Sequence, residues 1–420
     1  MSNNRARRAI VIGGSLGGLM SANLLLQAGW DVEIFERSGE DLANRGAGIG
    51  THEELFCVLK RIGIDIDPTI GVPVSGRHCL DASGQVVAYW PAPRTMSAWA
   101  RLYRPLKERF PSTRYHFGMR LVAIEPVVDG VTAVFADGTR HRADLLVGAD
   151  GFGSTVRSFF STQASPSYAG YVGWRGLVNE WEMPVDFHRK MFEHYFFCLP
   201  EGEIMLCFPV PGKDHSVIPG KRAYTFVWYH PTEEHKGLAD LCTDAKGVCH
   251  GSSIAPPLIR PDVVRQLRES AHAQMAPQMA QMVDLAPQPF FQAIYDLDSP
   301  SVVQGRVVLL GDAAFVARPH TGMGVTKAAI DAATLADALQ ADSDLDLALA
   351  QYGKRCGLFG SRAVARGRWC GAHLEAQSTK PRADRTAEEL SHGSTIMVLR
   401  EHGAKISDIA DLAPLVQWLH

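Results

Sequence analysis

The sequence lacks a C-x-x-C pair, an apolar run long enough to span a bilayer, an internal repeat, a low-complexity tract and any marked excess of one charge. Each absence removes a class of function. Without a long apolar run, no membrane-spanning helix is expected. A formal net charge of −3 over 420 residues gives no electrostatic case for nucleic acid or an anionic membrane surface as partner. The eight cysteines are scattered, and even the nearest pair, Cys242 and Cys249, has no neighbouring ligand pattern. Neither a disulfide frame nor a zinc site is therefore expected, no metal is assigned, and reduced thiols point to the cytoplasm. Arg5, Arg7 and Arg8 precede a strand that stops at Gly13, too short for the apolar core of a signal peptide. What remains is an ordinary globular composition, 46% hydrophobic and 21% charged. The length suits about two or three lobes.

What is present begins at the N-terminus. Ala9-Ile10-Val11-Ile12-Gly13-Gly14-Ser15-Leu16-Gly17-Gly18-Leu19-Met20 is a short β-branched run, a glycine-rich turn and the opening of an amphipathic helix. Such a turn aims backbone N–H groups at a phosphate from a helix N-terminus. Its glycines let the backbone come close to a pyrophosphate. Read from Gly13 to Gly18, the pattern departs from G-x-G-x-x-G at Ser15. A strand over Arg8–Ile12, a helix over Leu19–Gln27 ended by Gly29, and a strand over Asp31–Phe35 make a βαβ opening. Glu36 then stands about 20 residues beyond the turn, where a ribose-binding carboxylate belongs.

Further along, Arg45–Gly50 reads as a second glycine-rich turn leading into a helix over Glu53–Ile62. Residues 71–93 read as a small β-meander, and Ser97–Phe110 as a helix that stops before Pro111. Met119–Glu125 and Val131–Phe135 form a hairpin turning at Asp129-Gly130. Asp144–Gly148 reads as another buried strand. From Tyr168 to His230 aromatics are dense and alternation dominates, the pattern of a mostly antiparallel sheet in a second lobe. Residues 261–286 are polar at helical spacing, and Arg306–Leu310 is a strand running into Gly311-Asp312. Helices are expected over Val325–Leu339 and Ala348–Gln377, followed by the polar stretch Thr379–Glu389. The resulting α/β architecture has a discontinuous Rossmann-like domain (1–75, 98–165, 290–345), an inserted mostly antiparallel β-sheet substrate domain (76–97, 166–289) and a C-terminal helical region (346–420). That region is free to pack on the core or on a partner chain, so a homodimer is one arrangement the sequence allows.

Three separated segments now agree: the glycine turn with Glu36; Asp150-Gly151-Phe152-Gly153-Ser154-Thr155-Val156-Arg157; and Gly311-Asp312-Ala313-Ala314 followed by Pro319 and Gly322-Met323-Gly324. Together they make the chain resemble the single-component FAD-dependent aromatic hydroxylases, the para-hydroxybenzoate hydroxylase class, over roughly residues 8–375. Tyr171-Val172-Gly173-Trp174-Arg175-Gly176, Val227-Trp228-Tyr229, Ala317-Arg318-Pro319-His320 and Gly324-Val325-Thr326-Lys327-Ala328 are similar to one branch, the 2,6-dihydroxypyridine 3-monooxygenase group, which hydroxylates electron-rich N-heteroaromatics. The resemblance implies that Gly13, Ser15, Leu16 and Gly18 form the FAD pyrophosphate turn. It implies that Glu36 accepts from ribose hydroxyls, that Arg37 lies along the adenine, and that Leu121 brackets it. Arg45 belongs to the same set. Asp312 would hold a ribityl hydroxyl, with helix N-capping as its plainer role. Gly322, Met323, Gly324 and Val325 would present a helix N-terminus to the flavin pyrimidine edge, favouring the reduced anion. Asp150 and Arg157 belong to a motif serving both flavin and nicotinamide nucleotide, and Arg157 is equally suited to a structural tie. Two departures stand out: Phe315 where the family often has His, and Trp99 where it commonly has Arg, with Arg101 and Arg104 nearby.

The implied activity is monooxygenation: NADH or NADPH reduces FAD, O2 gives a flavin C4a-hydroperoxide, and an electron-rich (hetero)aromatic small molecule is hydroxylated. The cofactor carries the difficult step while the protein positions the ring and excludes water. A base is expected near the ring hydroxyl. His320, beside Pro319 in the loop expected to face the flavin, is the candidate, with a purely loop-positioning role as its alternative. Trp174, Tyr195 and Phe208 are candidate pocket walls with Pro319 and His320, although aromatics in a sheet more often serve packing alone. His52 and His194 are weaker polar candidates. A Baeyer–Villiger or ring-opening oxygenase shares the flavin motifs. A nicotinamide-dependent dehydrogenase would leave Asp150-Gly151 and Gly311-Asp312 unexplained. A non-catalytic nucleotide module would show no substrate-stimulated NAD(P)H oxidation.

Overall fold

The computed structural model describes residues 6–44, 48–160, 165–374, 386–387 and 394–420. A six-stranded sheet runs in the order Val303–Gln304, Val307–Leu309, Leu145–Gly148, Arg8–Ile12, Asp31–Phe35, Tyr115–His116. Its centre is parallel, with Val11 level with Ile34 on one side and Val147 on the other. Ala9, Ile10 and Val11 are fully buried, as a strand covered on both faces requires. The first helix spans Leu16–Gln27, starting earlier than expected, because Gly17 and Gly18 lie inside it. A Cβ at Gly18 would fall 1.9 Å from the Gly13 carbonyl oxygen, so the glycine lets the helix pack against its own turn. The helix Gly324–Ala341 is buried along most of its length against this core.

The second lobe is a nine-stranded sheet: Phe315–Val316, Phe290–Asp298, Ser167–Asn179, Ala223–Pro231, Ile204–Val210, Tyr195–Cys198, Val72–Leu80, Val86–Ala98, Gly48–Gly50. Side chains alternate across it. One face buries Trp174, Phe226 and Trp228 under the helices Pro261–Gln274 and Pro277–Leu285. The other carries Tyr171, Tyr195, Phe208 and Tyr229, covered by Leu374, Val398 and Leu399 of the C-terminal region.

Several expectations shift. Phe290–Asp298 pairs with Ser167–Asn179, so this strand belongs to the large sheet and not to the Rossmann-like part. The segment expected as a second glycine turn forms a strand at Gly48–Gly50, paired with Met96–Ala98; Arg45, Gly46 and Ala47 lie outside the described residues. The expected meander is one long hairpin, Val72–Leu80 with Val86–Ala98. Leu121–Val127, Gly130–Phe135 and Arg140–Ala143 form a separate small sheet, whose first turn places Asp129 at φ 57°. The long C-terminal helix spans Leu345–Cys370, and Asp344 caps it by accepting from the Asp346 and Leu347 amides, an arrangement worth about 1 kcal/mol. The stretch Thr379–Glu389 lies outside the described residues apart from 386–387.

Candidate functional site

A cleft of about 670 Å3 opens above the carboxyl ends of the parallel strands, the position where such sheets bind ligands. Gly13, Ser15, Glu36, Arg37, Leu121 and Asp150 all line it. Gly13 sits at φ 101°, and a Cβ there would lie 2.4 Å from the Ala149 carbonyl oxygen, so only glycine keeps the turn against the next strand. Ser15 occupies the N-cap of the first helix without a side-chain cap bond, leaving that helix end open to the cleft. Glu36 is buried and bends back on the turn, accepting from the Gly14 amide at 2.8 Å and the Ser38 amide at 2.8 Å. Arg37 is exposed at the rim.

The second motif is largely structural. The Asp150 carboxylate accepts from the Ser154 hydroxyl at 2.5 Å and the amides of Thr155 and Val156 at 2.7 and 3.1 Å. Burial raises its pKa against these bonds. Arg157 donates to the carbonyls of Ala313 at 3.0 Å and Phe152 at 2.7 Å, tying the second motif to the third.

The third motif supplies the clearest fit to a cofactor. The Asp312 side chain is exposed, with no hydrogen-bond partner among the described residues. Burial of its surroundings raises its pKa, and the nearby Lys327 charge lowers it. A carboxylate at the turn between a strand and a helix, with no partner among the described residues, has the chemistry to accept from hydroxyl donors such as those of a ribityl chain. Lys327 holds this turn from beneath: its ammonium donates to the Gly311 carbonyl at 2.8 Å and to Asp331 at 2.9 Å, and Asp331 also accepts from the Gly311 amide. Burial alone would lower the Lys327 pKa, but the Asp331 carboxylate outweighs it and raises it. Gly322 sits at φ 60° and leads into the helix at Gly324, whose N-terminus carries no side-chain cap. Met323 turns its side chain into a buried cluster, so it offers backbone alone, and Val325 packs against the main core.

Around His320 the structure builds a buried cluster. Its Nε2 lies 2.7 Å from the Tyr171 hydroxyl, its ring centroid 4.5 Å from that of Tyr229 and 5.0 Å from that of His402. Burial, then the neighbouring His402, His373 and Arg318, hold its pKa well below the ordinary histidine range, so the imidazole is neutral. Its Nδ1 has no hydrogen-bond partner among the described residues. Arg318 is pinned by a two-point ion pair to buried Asp296, at 2.9 and 2.7 Å. Pro319 starts the short turn Pro319–Thr321 that carries His320.

Trp174 requires a correction. Strand alternation points it to the helix-covered face, away from Tyr171 and His320, so it is not a wall of this site. Tyr195 and Phe208 lie on the site-facing side, ring centroids 5.1 Å apart. His52 is buried and bonded to the Thr326 hydroxyl at 3.1 Å. His194 packs on His78 and Phe196, outside the His320 cluster. Phe315 packs on Gly360 of the long C-terminal helix, which explains an apolar residue there. Trp99 lines the cleft and stacks on Tyr103. Arg101 donates to the His215 carbonyl and Thr69 hydroxyl, and does not line the cleft. The residues missed from sequence are Tyr171, Tyr229, Arg175, Arg94 and His402. Arg175 has no hydrogen bond or ion pair among the described residues, and burial lowers its pKa. Its place two positions after Gly173 on an alternating strand was a readable signal.

The family described as FAD binding domain-like matches residues 168–296. The 2,6-dihydroxypyridine 3-monooxygenase of Paenarthrobacter nicotinovorans is 34% identical over 339 residues, 80% of this chain and 84% of that one. The structure of 2,6-dihydroxypyridine-3-hydroxylase from Arthrobacter nicotinovorans superposes with a TM-score of 0.83 at 30% identity, covering 90% of this chain and 95% of that one. Klebsiella pneumoniae HpxO, solved with FAD and uric acid, gives a TM-score of 0.68 at 25% identity, covering 94% of this chain and 97% of that one.

Proposed function

The chain belongs to the single-component FAD-dependent aromatic hydroxylases, and we propose that it uses NADH or NADPH and O2 to hydroxylate a small, electron-rich hydroxy-heteroaromatic ring of the dihydroxypyridine kind. When bound, FAD accepts the hydride and activates oxygen. Gly13, Ser15, Glu36, Leu121 and Asp312 would hold it, joined by the backbone of Gly322 to Val325. The protein's own task is to seat the ring, exclude water and take a proton from it. The Tyr171–His320 pair carries this reading: a neutral imidazole 2.7 Å from a phenol, on the aromatic side of the sheet. A ring hydroxyl that passes its proton to this pair becomes an oxyanion, the form that reacts best with an electrophilic oxygen. The lone Arg175 guanidinium is available to a ring oxygen, and Tyr195, Phe208 and Pro319 supply apolar walls. Eight free cysteines support action in the cytoplasm, and among the described residues no helix is long and apolar enough to cross a membrane.

The test is NAD(P)H oxidation by the FAD-loaded protein with 2,6-dihydroxypyridine, uric acid and hydroxybenzoates, with products identified by mass and structure. One of these should stimulate oxidation and gain a ring hydroxyl. A product with oxygen inserted into a ring C–C bond would reassign the chemistry to the Baeyer–Villiger type.

A further inference from the structure

Arg94, in the hairpin strand Val86–Ala98, has no carboxylate partner among the described residues; the titratable groups that act on it are the Tyr195 phenol and a second guanidinium, Arg77. Burial, helped by the neighbouring Arg77 charge, pulls its pKa down to about 10. Arg77 is itself 3% exposed; among the described residues it bonds to backbone carbonyls of the C-terminal segment, Leu399 at 2.6 Å and Gly403 at 2.7 Å, and the Glu401 carboxylate acts on its charge. Arg77 and Arg94 line a cavity of about 580 Å3 together with Glu53, Glu54 and Asp408, yet among the described residues none of these carboxylates forms an ion pair with either arginine.

The chain makes room for this guanidinium from three directions. A Cβ at Gly50 would meet it at 2.7 Å, one at Gly322 at 3.1 Å and one at Gly403 at 2.2 Å. Its firm bonds are two: Nε to the Thr51 carbonyl at 2.9 Å and Nη1 to the Gly403 carbonyl at 3.1 Å. Nη2 finds the His52 ring only at 3.3 Å and the Gly322 carbonyl at 3.5 Å, so this end of the fork has no strong acceptor. Beside it lies the uncapped N-terminus of the 18-residue helix Gly324–Ala341. Two independent sources of positive potential therefore meet at Gly322.

We propose that Arg94 is a positioning residue whose uncompensated charge stabilises the anionic, reduced form of the bound flavin. This rests on the reading above that the Gly322–Val325 loop faces the pyrimidine edge. The charge acts together with the helix end, and the three glycines exist to admit it. Arg77 acts from one layer further out, in the same direction and more weakly.

The experiment is the midpoint potential of bound FAD, with sulfite affinity of the oxidised enzyme, in the wild type, Arg94→Lys, Arg94→Gln and Arg77→Gln. Arg94→Gln should lose about tenfold in its preference for reduced over oxidised FAD, a fall of about 30 mV for the two-electron couple. Sulfite affinity should fall in parallel, while oxidised FAD binds within about threefold of wild type. Arg94→Lys should stay near wild type, and Arg77→Gln should fall less than Arg94→Gln. Should Arg94→Gln fail to hold FAD, Arg77→Gln still decides: its potential should fall below wild type, and an unchanged one overturns the inference. Equal potentials in all variants overturn the inference. So does an unchanged potential with weakened 2,6-dihydroxypyridine binding, which would assign Arg94 to the substrate. A wild type that takes up no FAD would overturn the functional reading itself.

Discussion

The cofactor cleft and the chamber around His320 are built in opposite ways. The cleft is made of backbone: Gly13 and Gly18 lie within a few residues of each other, and their roles follow from φ and close approach. The chamber is made of side chains from distant segments, with Tyr171 of the large sheet meeting His320 of the turn Pro319–Thr321 and His402 arriving from the C-terminal segment. Local backbone chemistry leaves a spacing in the sequence; assembly by packing does not. The cleft should therefore fail by losing cofactor or fold, and the chamber by losing turnover with cofactor retained.

The largest effect expected lies beneath the Gly311-Asp312 turn. Lys327→Met leaves Asp331 fully buried without its counter-ion, which should cost about 3–5 kcal/mol of stability in chemical denaturation. A loss under about 1 kcal/mol would show that Asp331 takes up a proton instead. In the chamber, His320→Ala should lower substrate-dependent oxygenation roughly 100-fold with FAD affinity nearly unchanged. Equal oxygenation rates and an unaltered pH profile would remove His320 from the chemistry. Gly13→Ala strains a positive φ and drives a methyl into Ala149, so FAD affinity should fall at least about tenfold. If fluorescence titration shows wild-type affinity, the turn is not the pyrophosphate site.

Acid should weaken the chamber before the cleft. Burial first, then nearby charges, hold His52, His320 and His402 well below the ordinary range. The unfolded chain thus binds protons below about pH 6.5 that the native state refuses, and stability rises with pH across that window. Thermal midpoints should drop as pH falls below about 6.5, and His402→Gln should flatten the slope. The smallest effect belongs to Trp174→Phe, which should leave KM for the ring substrate within about twofold, whereas Tyr195→Ala should raise it. The reverse ranking would mean that the sheet is read from the wrong face.

Much of this was legible in the sequence, for stated reasons. Glycine spacing and the strand ending at Glu36 pointed to residues that line the cleft, because each is a local constraint on backbone geometry. Trp174 was misplaced because dense aromatics on a strand reveal alternation but not which parity faces the site. Arg94 went unnoticed because its meaning depends on Gly50, Gly322 and Gly403 converging on it, a juxtaposition with no sequence period. The domain limits failed at Phe290–Asp298 for the same reason: a strand's partner is not written in the strand.

The most direct measurement of the proposed activity is incubation of FAD-loaded enzyme with NAD(P)H, a hydroxy-heteroaromatic ring that stimulates its oxidation, and isotopically labelled O2. One labelled oxygen should appear as a new ring hydroxyl on the product, in step with NAD(P)H consumed. Stimulated oxidation that yields only hydrogen peroxide, or a label inserted within the ring, would contradict hydroxylation as the function of this site.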